Sequence, residues 1–308
     1  MTLPATAPRL VLLANPHSGG GKARAIAERA AAVLTGMGIG AEVLAPSTIE
    51  AMREGAASAC ASHPMAVIAC GGDGTVHQVL QAAAASSTPM AIIPAGTGND
   101  IARSLGIARK DVELVAAGIG EAALAGSFRT IDLTHIRQGG REAWSLGVMS
   151  TGFDSAVNER ADRGQRFNGT TRYVLAMLAE LRIFRTHEYV LTIDGLRIEG
   201  AATLIAIGNG SNYGGGMRIC PAAIMDDGLL DVTWVDRVPR RTILRVFPRI
   251  FSGTHVRHPA VRVYQGRSIV VESVGPILYA DGERIGELPV EATVIEGGLR
   301  MLAQAGRG

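Results

Sequence analysis

The chain has 308 residues, with 30 Lys and Arg against 28 Asp and Glu, a net charge of +2 and a 47% hydrophobic fraction. That length and apolar content suit one large or two ordinary domains with genuine cores, and so balanced a charge excludes a global field that would recruit nucleic acid. Three scattered cysteines, Cys60, Cys70 and Cys220, exclude a disulfide framework and fit a reducing compartment. The opening MTLPATAPRLVLLANP lacks a basic n-region and a long apolar h-region, so no signal peptide is read there. No run approaches the ~20 apolar residues of a membrane span. The expectation is a soluble, cytoplasmic protein that can still work peripherally at the inner face of a membrane.

In chain order, RLVLLANP (9–16) reads as a strand and KARAIAERAAAVLTGMG (22–38) as a helix ending in glycine. Strand AEVLA (41–45) and helix 48–62 follow, then strand MAVIAC (65–70) and helix TVHQVLQAAAAS (75–86). Strand MAIIPAG (90–96), a short helix at 99–106 and a helix at 111–120 complete the first third. Strands alternating with helices predict βαβ units on a parallel sheet. From about residue 127 the texture changes to β-branched runs bounded by turns: SFRTIDLTHI, AWSLGVM, EYVLTIDG, ATLIAIGNG, LLDVTWV, VRVYQ, SIVVES, ILYADG and PVEATVI. Two helical stretches, 171–184 and 241–247, interrupt them. The fold class expected is an α/β N-terminal domain with a parallel sheet over 1–132. A mostly-β sandwich C-terminal domain follows over 133–308, its last segment free to pack back on the first.

Ligands of open parallel sheets sit at the carboxyl ends of the strands. Three such ends carry glycine and small polar residues: NPHSGGGK (15–22), GGDGT (71–75) and PAGTGND (94–100). Glycine permits positive φ and lets backbone N–H groups approach an anion closely. A helix starting near Thr75 adds its positive N-terminal end, so the stretch reads as a phosphate cradle. Asp73 would repel phosphate unless a divalent cation lies between them; a tight turn with Asp73 as helix N-cap is the plain alternative. PAGTGND repeats the recipe with Thr97 and Asp100, and NPHSGGGK adds Ser18 and Lys22. The latter is no Walker A loop, since Pro16 stands in place of the first Gly and Ala23 in place of the magnesium-binding hydroxyl residue.

GGDGT followed by PAGTGND resembles the diacylglycerol kinase catalytic domain, shared with sphingosine kinases and bacterial soluble lipid kinases. The likeness runs along nearly the whole chain: NPHSGGGK, IDL (131–133), NGSNYGGGMRICPAAIMDDGLLDV (209–232), THVRHP (254–259) and ADGE (280–283), in order. The resemblance implies an NAD kinase/diacylglycerol kinase-like fold, with nucleotide bound by the first domain and lipid by the second. It implies ATP and Mg2+ as cofactors, and a membrane-derived lipid, most simply diacylglycerol, as acceptor. Asn15, Ser18, Lys22, Gly71, Gly72, Gly74, Thr75 and Thr97 would bind the nucleotide. Asp73, Asp100 and Asp132 would form an acidic cluster around magnesium and its waters, and Glu283 would be the general base. Asp227, with the carbonyls of Ile224 and Leu229, would match a second, structural magnesium site. A homodimer is compatible with the family. By the residues alone, Asp281-Gly282-Glu283 and Asp226-Asp227-Gly228 read equally as turns. Asp132 reads equally as a strand-end residue facing water, because an unpaired buried carboxylate is expensive.

Other signals carry less. GIGEAA (118–123) matches a dinucleotide fingerprint but follows a helix rather than a strand, so it fails its context. No histidine has zinc-site spacing, and His77 reads as packed or solvated in preference to a phosphate ligand. Tyr213 with Gly214, Gly215 and Gly216 reads as acceptor-pocket lining or as a glycine-rich turn. The stretch 237–258 has six arginines and no acid. Arg241, Arg245 and Arg249 align on a helix that Pro248 would cut or kink; this is a membrane-facing surface or a solvated face over a packed helix. ERADRGQRFNGTTRYVLAML (159–178) is a second basic candidate. Two rival functions are weighed: an NAD kinase, against which the 209–232 signature speaks, and a nucleotide-responsive lipid-binding protein without turnover, against which the intact Asp73, Asp100, Asp132 and Glu283 speak.

Overall fold

The computed structural model describes residues 9–107, 111–153 and 186–303. The helix expected at 171–184 and the basic segment at 159–178 lie outside them. The chain divides into two compact units. One runs to Ile131 and takes up the chain again from Gly297; the other spans Asp132–Glu296.

The first unit opens with β1 (Arg9–Ala14), a 3-10 turn at Ser18–Gly20, α1 (Ala23–Gly36) and β2 (Gly40–Leu44). It continues through α2 (Ile49–Ala61), β3 (Ala66–Gly71), α3 (Asp73–Ser86), β4 (Met90–Pro94), α4 (Asp100–Ser104) and α5 (Val112–Ala125). The strands pair in parallel in the order β2-β1-β3-β4. Alternate strand residues explain both faces. Leu10, Leu12, Ile68 and Ile93 join the alanine stripe of α1 (Ala23, Ala27, Ala30) and Ala116, Ile119 and Ala123 of α5 in one core. Leu13 points the other way, towards Gly55 of α2. Alanine on the inner faces lets α1 lie close to α5; a Cβ on Gly120 would meet Met37 Sδ at 2.7 Å. Gly120 thus serves helix packing inside α5, and the GIGEAA stretch is helix interior. α5 also runs five residues past the expected 120, to a left-handed Gly126 (φ 59°) that ends it.

β5 (Phe128–Gln138) carries the chain into the second unit. Then come β6 (Arg141–Ser145), β7 (Val148–Gly152), β8 (His187–Ile193), β9 (Leu196–Gly208) and β10 (Leu230–Asp236). The helices α6 (Arg240–Val246) and α7 (Pro248–Ser252) follow, with a 3-10 turn at Thr254–Arg257. The unit ends with β11 (Val261–Gly266), β12 (Ser268–Glu272), β13 (Ile277–Ala280), β14 (Glu283–Glu287) and β15 (Val290–Leu302). β5 pairs antiparallel with β6, and the pairings of β7 to β14 in this unit are likewise antiparallel. β9 is the hub: residues 196–202 pair with β8, 204–208 with β7, and 202–208 also with β10, which pairs with β11. β8 continues to β12 and β15, and β7 to β13 and β14. Trp234, Tyr189, Leu191, Ile205 and Ile269 anchor the core.

Two expectations need correction. AWSLGVM is two strands, β6 and β7, broken at Leu146–Gly147 because Asp281 binds the backbone there (below). PVEATVI does not end at 295: β15 runs on to Leu302, and its Met301 pairs in parallel with Met90 of β4, giving the first unit a fifth strand. Among the described residues no helix is long and apolar enough to cross a membrane. All three cysteines are buried and unpaired, and burial pushes the thiols of Cys70 and Cys220 up to about 12.

Candidate active site

The parallel register puts the carboxyl ends of β1, β3 and β4 at one edge of the first unit's sheet, and the three glycine-bearing loops touch there. Ser18 Oγ lies 3.4 Å from Thr75 Oγ1. A Cβ on Gly19 would overlap the carbonyl oxygen of Ala95, and one on Gly96 would overlap Cα of Gly72. The Gly71 carbonyl accepts hydrogen bonds from Ala95 N (2.8 Å) and Gly96 N (3.1 Å). Asn99 clamps its own loop: its Oδ1 accepts from Gly96 N and its Nδ2 donates to Gly96 O, both at 2.9 Å.

The glycines do not all serve the expected purpose. Gly19, Gly20 and Gly21 take positive φ, but Gly71, Gly72, Gly74 and Gly96 do not. In GGDGT the missing side chain matters for close approach: a Cβ on Gly71 would overlap the Thr75 hydroxyl, and Gly72 lies against Gly96. Bare backbone lets two βα loops pack against one another.

α3 starts two residues earlier than expected, at Asp73, with Gly72 in the N-cap position. Gly72 has no side chain with which to cap this fourteen-residue helix. The N-terminal end of a helix favours an anion. Asp73 is therefore not the cap of its own helix. Its Oδ1 accepts from Ile101 N at 3.0 Å and caps α4 instead. Asp100, the first residue of α4, is buried and pairs with Arg103 Nη1 at 2.6 Å. Asp73 and Asp100 thus meet at one helix start. Asn15 Oδ1 accepts from His17 N at 2.9 Å and shapes the first loop; Lys22 and Thr97 are exposed, and Thr75 is buried. His77 is buried inside α3, where Gln81 Nε2 donates to its carbonyl oxygen at 3.1 Å.

In the second unit, Asp132 does not face water. It is 1% exposed, and its Oδ2 accepts from Gly228 N at 2.7 Å. Its own N–H donates to Met225 O at 2.7 Å, and Asn209 Nδ2 donates to its carbonyl at 2.8 Å. The carboxylate is hydrogen-bonded, which offsets its burial, and it holds the 225–228 turn. Asp227 is exposed in that turn and accepts from Leu229 N at 3.0 Å; Ile224 is exposed and Leu229 half-buried. Asp281 and Gly282, at φ 54° and 87°, form the tight turn between β13 and β14. Asp281 Oδ1 accepts from Ser145 Oγ (2.9 Å) and Gly147 N (2.8 Å), and Oδ2 from Leu146 N (3.2 Å). Glu283, half-buried, is the first residue of β14.

A feature absent from the sequence reading also lies in the second unit. It is a partly open apolar cavity. Phe153, Leu204, Tyr213, Val246, Phe247 and Ile250 are among its walls, and His255, His258, Thr203 and Thr242 its polar points. His255 is 2% exposed. Its Nε2 lies 3.1 Å from the Ile219 carbonyl and its Nδ1 has no partner; burial lowers its pKa below the ordinary value. Tyr213 lines this cavity, and Gly214, Gly215 and Gly216, all at positive φ, turn the chain from Tyr213 to its bridge partner Met217.

This set of loops, turns and domains has relatives. Residues 9–136 match the model of the diacylglycerol kinase catalytic domain, and residues 147–303 that of the YegS C-terminal NAD kinase beta sandwich-like domain. The chain belongs to the diacylglycerol kinase family. Within it, this lipid kinase is 39% identical to a Mycobacterium tuberculosis (strain H37Rv) protein named "Diacylglycerol kinase", over 96% of this chain and 94% of that one. It is 30% identical to a Stenotrophomonas maltophilia protein named "Probable lipid kinase YegS-like", over 78% and 79% of the two chains. The crystal structure of a diacylglycerol kinase from Bacillus anthracis strain Sterne shares the fold, with a TM-score of 0.70 at 20% identity over 96% of each chain.

Proposed function

We propose that this lipid kinase uses ATP and magnesium to transfer the γ-phosphoryl group to a lipid hydroxyl, most simply that of diacylglycerol, giving phosphatidic acid. The observation that carries the nucleotide half is the meeting of three glycine-bearing loops beside the N-terminus of α3. Phosphoryl transfer asks mainly for positioning and charge neutralisation, and backbone N–H groups supply both. In this reading Gly71, Gly72, Gly74 and Thr75 bind phosphate oxygens, with Asn15, Ser18, Lys22 and Thr97 contributing from the flanking loops.

Among the described residues no three His, Cys, Asp or Glu side chains gather into a direct metal cage. The donor set instead suits a cation shared with phosphate oxygens and water, which is how magnesium is usually held. Asp73 and Asp100 would hold it, with Asp132 supporting the network, and bound magnesium would supply neutralisation of triphosphate charge. Asp227, with the carbonyls of Ile224 and Leu229, would hold a second, structural cation. Glu283 takes the proton from the acceptor hydroxyl as that oxygen bonds to the γ-phosphorus and the bond to ADP breaks. The apolar cavity behind α6 and α7 has the apolar lining, with a few polar points, of a small-molecule pocket and would hold the acyl chain.

Incubation with labelled ATP, magnesium and a panel of diacylglycerol, sphingoid base and NAD, followed by identification of the labelled product, tests the proposal. Labelled phosphatidic acid is expected. Labelled NADP would favour the NAD kinase reading, and nucleotide binding without any labelled product would favour a binding protein without turnover.

A further inference from the structure

Helices α6 and α7 have two unlike faces. Inward, Thr242, Ile243, Val246, Phe247 and Ile250 wall the apolar cavity. Outward, Arg241, Arg245 and Arg249 are exposed, with Leu244 49% and Phe251 45% exposed between and beyond them. Pro248 does not stop the helical path: Phe247 keeps helical angles (φ −48°, ψ −47°) and Pro248 takes the first position of α7, where its missing N–H costs nothing. The three arginines therefore follow one another along nearly one face.

Six arginines and no acid stand between residues 237 and 258, and among the described residues none of the six pairs with a carboxylate. A merely solvated face would gain from interspersed acids and would not set two large apolar side chains among its cations. Like charges this close repel one another until an anionic surface meets them. Apolar side chains flanked by arginine are the composition of helices that lie in a membrane interface.

We infer that the outward face of α6 and α7 docks on an anionic lipid bilayer, its arginines against lipid phosphates and Leu244 and Phe251 in the acyl boundary. The inference extends the lipid-acceptor reading, because the docking helices also wall the cavity proposed for the acyl chain. Binding needs neither nucleotide nor turnover, so its failure is distinguishable from failure of the kinase reading.

Flotation of the full chain with phosphatidylcholine vesicles, with and without phosphatidylglycerol, tests it. Binding is expected only with phosphatidylglycerol and falls with salt. Changing Arg241, Arg245 and Arg249 together to Glu should weaken partitioning at least about a hundred-fold, and the exposed sites keep the fold intact, checked by an unchanged melting temperature. In a second variant, Leu244→Trp, the added fluorescence should shift to the blue on vesicle binding and be quenched by brominated acyl chains. No binding by the unmodified protein, equal binding by the triple variant, or Leu244→Trp emission that vesicle binding does not move would each overturn the inference.

Discussion

The carboxylate of Asp73 accepts a hydrogen bond from the backbone N–H of Ile101 at 3.0 Å, twenty-eight residues away in sequence. The central acidic residue of GGDGT therefore caps the helix that begins with the second one, Asp100. A single side chain couples two of the three glycine-bearing loops, and its structural and proposed electrostatic roles can be separated. Asp73→Asn keeps an acceptor for Ile101 and removes the charge. We expect its melting temperature to stay near that of the parent while kinase activity falls at least about a hundred-fold. Asp73→Ala should lose the cap as well, at about 1 kcal/mol of stability. Full activity in Asp73→Asn would remove this residue from any cation site.

Two glycine-to-alanine changes should act in opposite directions. Gly96→Ala drives a methyl group into Cα of Gly72, backbone against backbone. It should cost about 1–3 kcal/mol and abolish stabilisation of the protein by added nucleotide. Gly118, inside α5, has open space where its Cβ would be. Gly118→Ala should raise stability by about 0.5–1 kcal/mol and leave nucleotide binding alone. Denaturant melts with and without ATP and magnesium read both effects.

The adjacent residues of the Asp281-Gly282-Glu283 turn should separate cleanly. Asp281→Ala strips the acceptor from Leu146 N, Gly147 N and Ser145 Oγ. It should destabilise the second unit by about 1–3 kcal/mol. Glu283→Gln should melt like the parent and bind nucleotide normally, yet lose roughly a hundred- to ten-thousand-fold in kcat. Unimpaired turnover by Glu283→Gln on every accepted lipid would refute its role as base.

Burial, partly offset by the Ile219 carbonyl, holds the His255 pKa below its ordinary value near 6.5. The folded protein then binds fewer protons at this site than the unfolded chain. The stabilisation is complete above about pH 6.5 and declines as the pH falls below it. Melting temperatures taken from about pH 7 to pH 5 should fall, and His255→Gln should fall less steeply. Parallel slopes in the two proteins would show that His255 does not stay neutral in the fold.

Much of this protein was legible in its sequence because local rules carry it. The alternation of apolar runs with alanine-rich stretches determined the βαβ units, since a strand and a helix each reveal their period over a few residues. Glycine and small polar residues at three strand ends marked where a ligand site would lie, because parallel strands bring their carboxyl ends to one edge. What only the tertiary structure decided is which partner each polar group meets. Asp73 finds Ile101, Asp132 finds Gly228, and Asp281 finds Ser145 and Gly147 across 136 and 134 residues. The crowding of Gly72 on Gly96 and the cavity behind α6 and α7 are likewise products of packing between distant segments. Hydrogen bonds and close contacts depend on distance in space, to which separation along the chain is no guide.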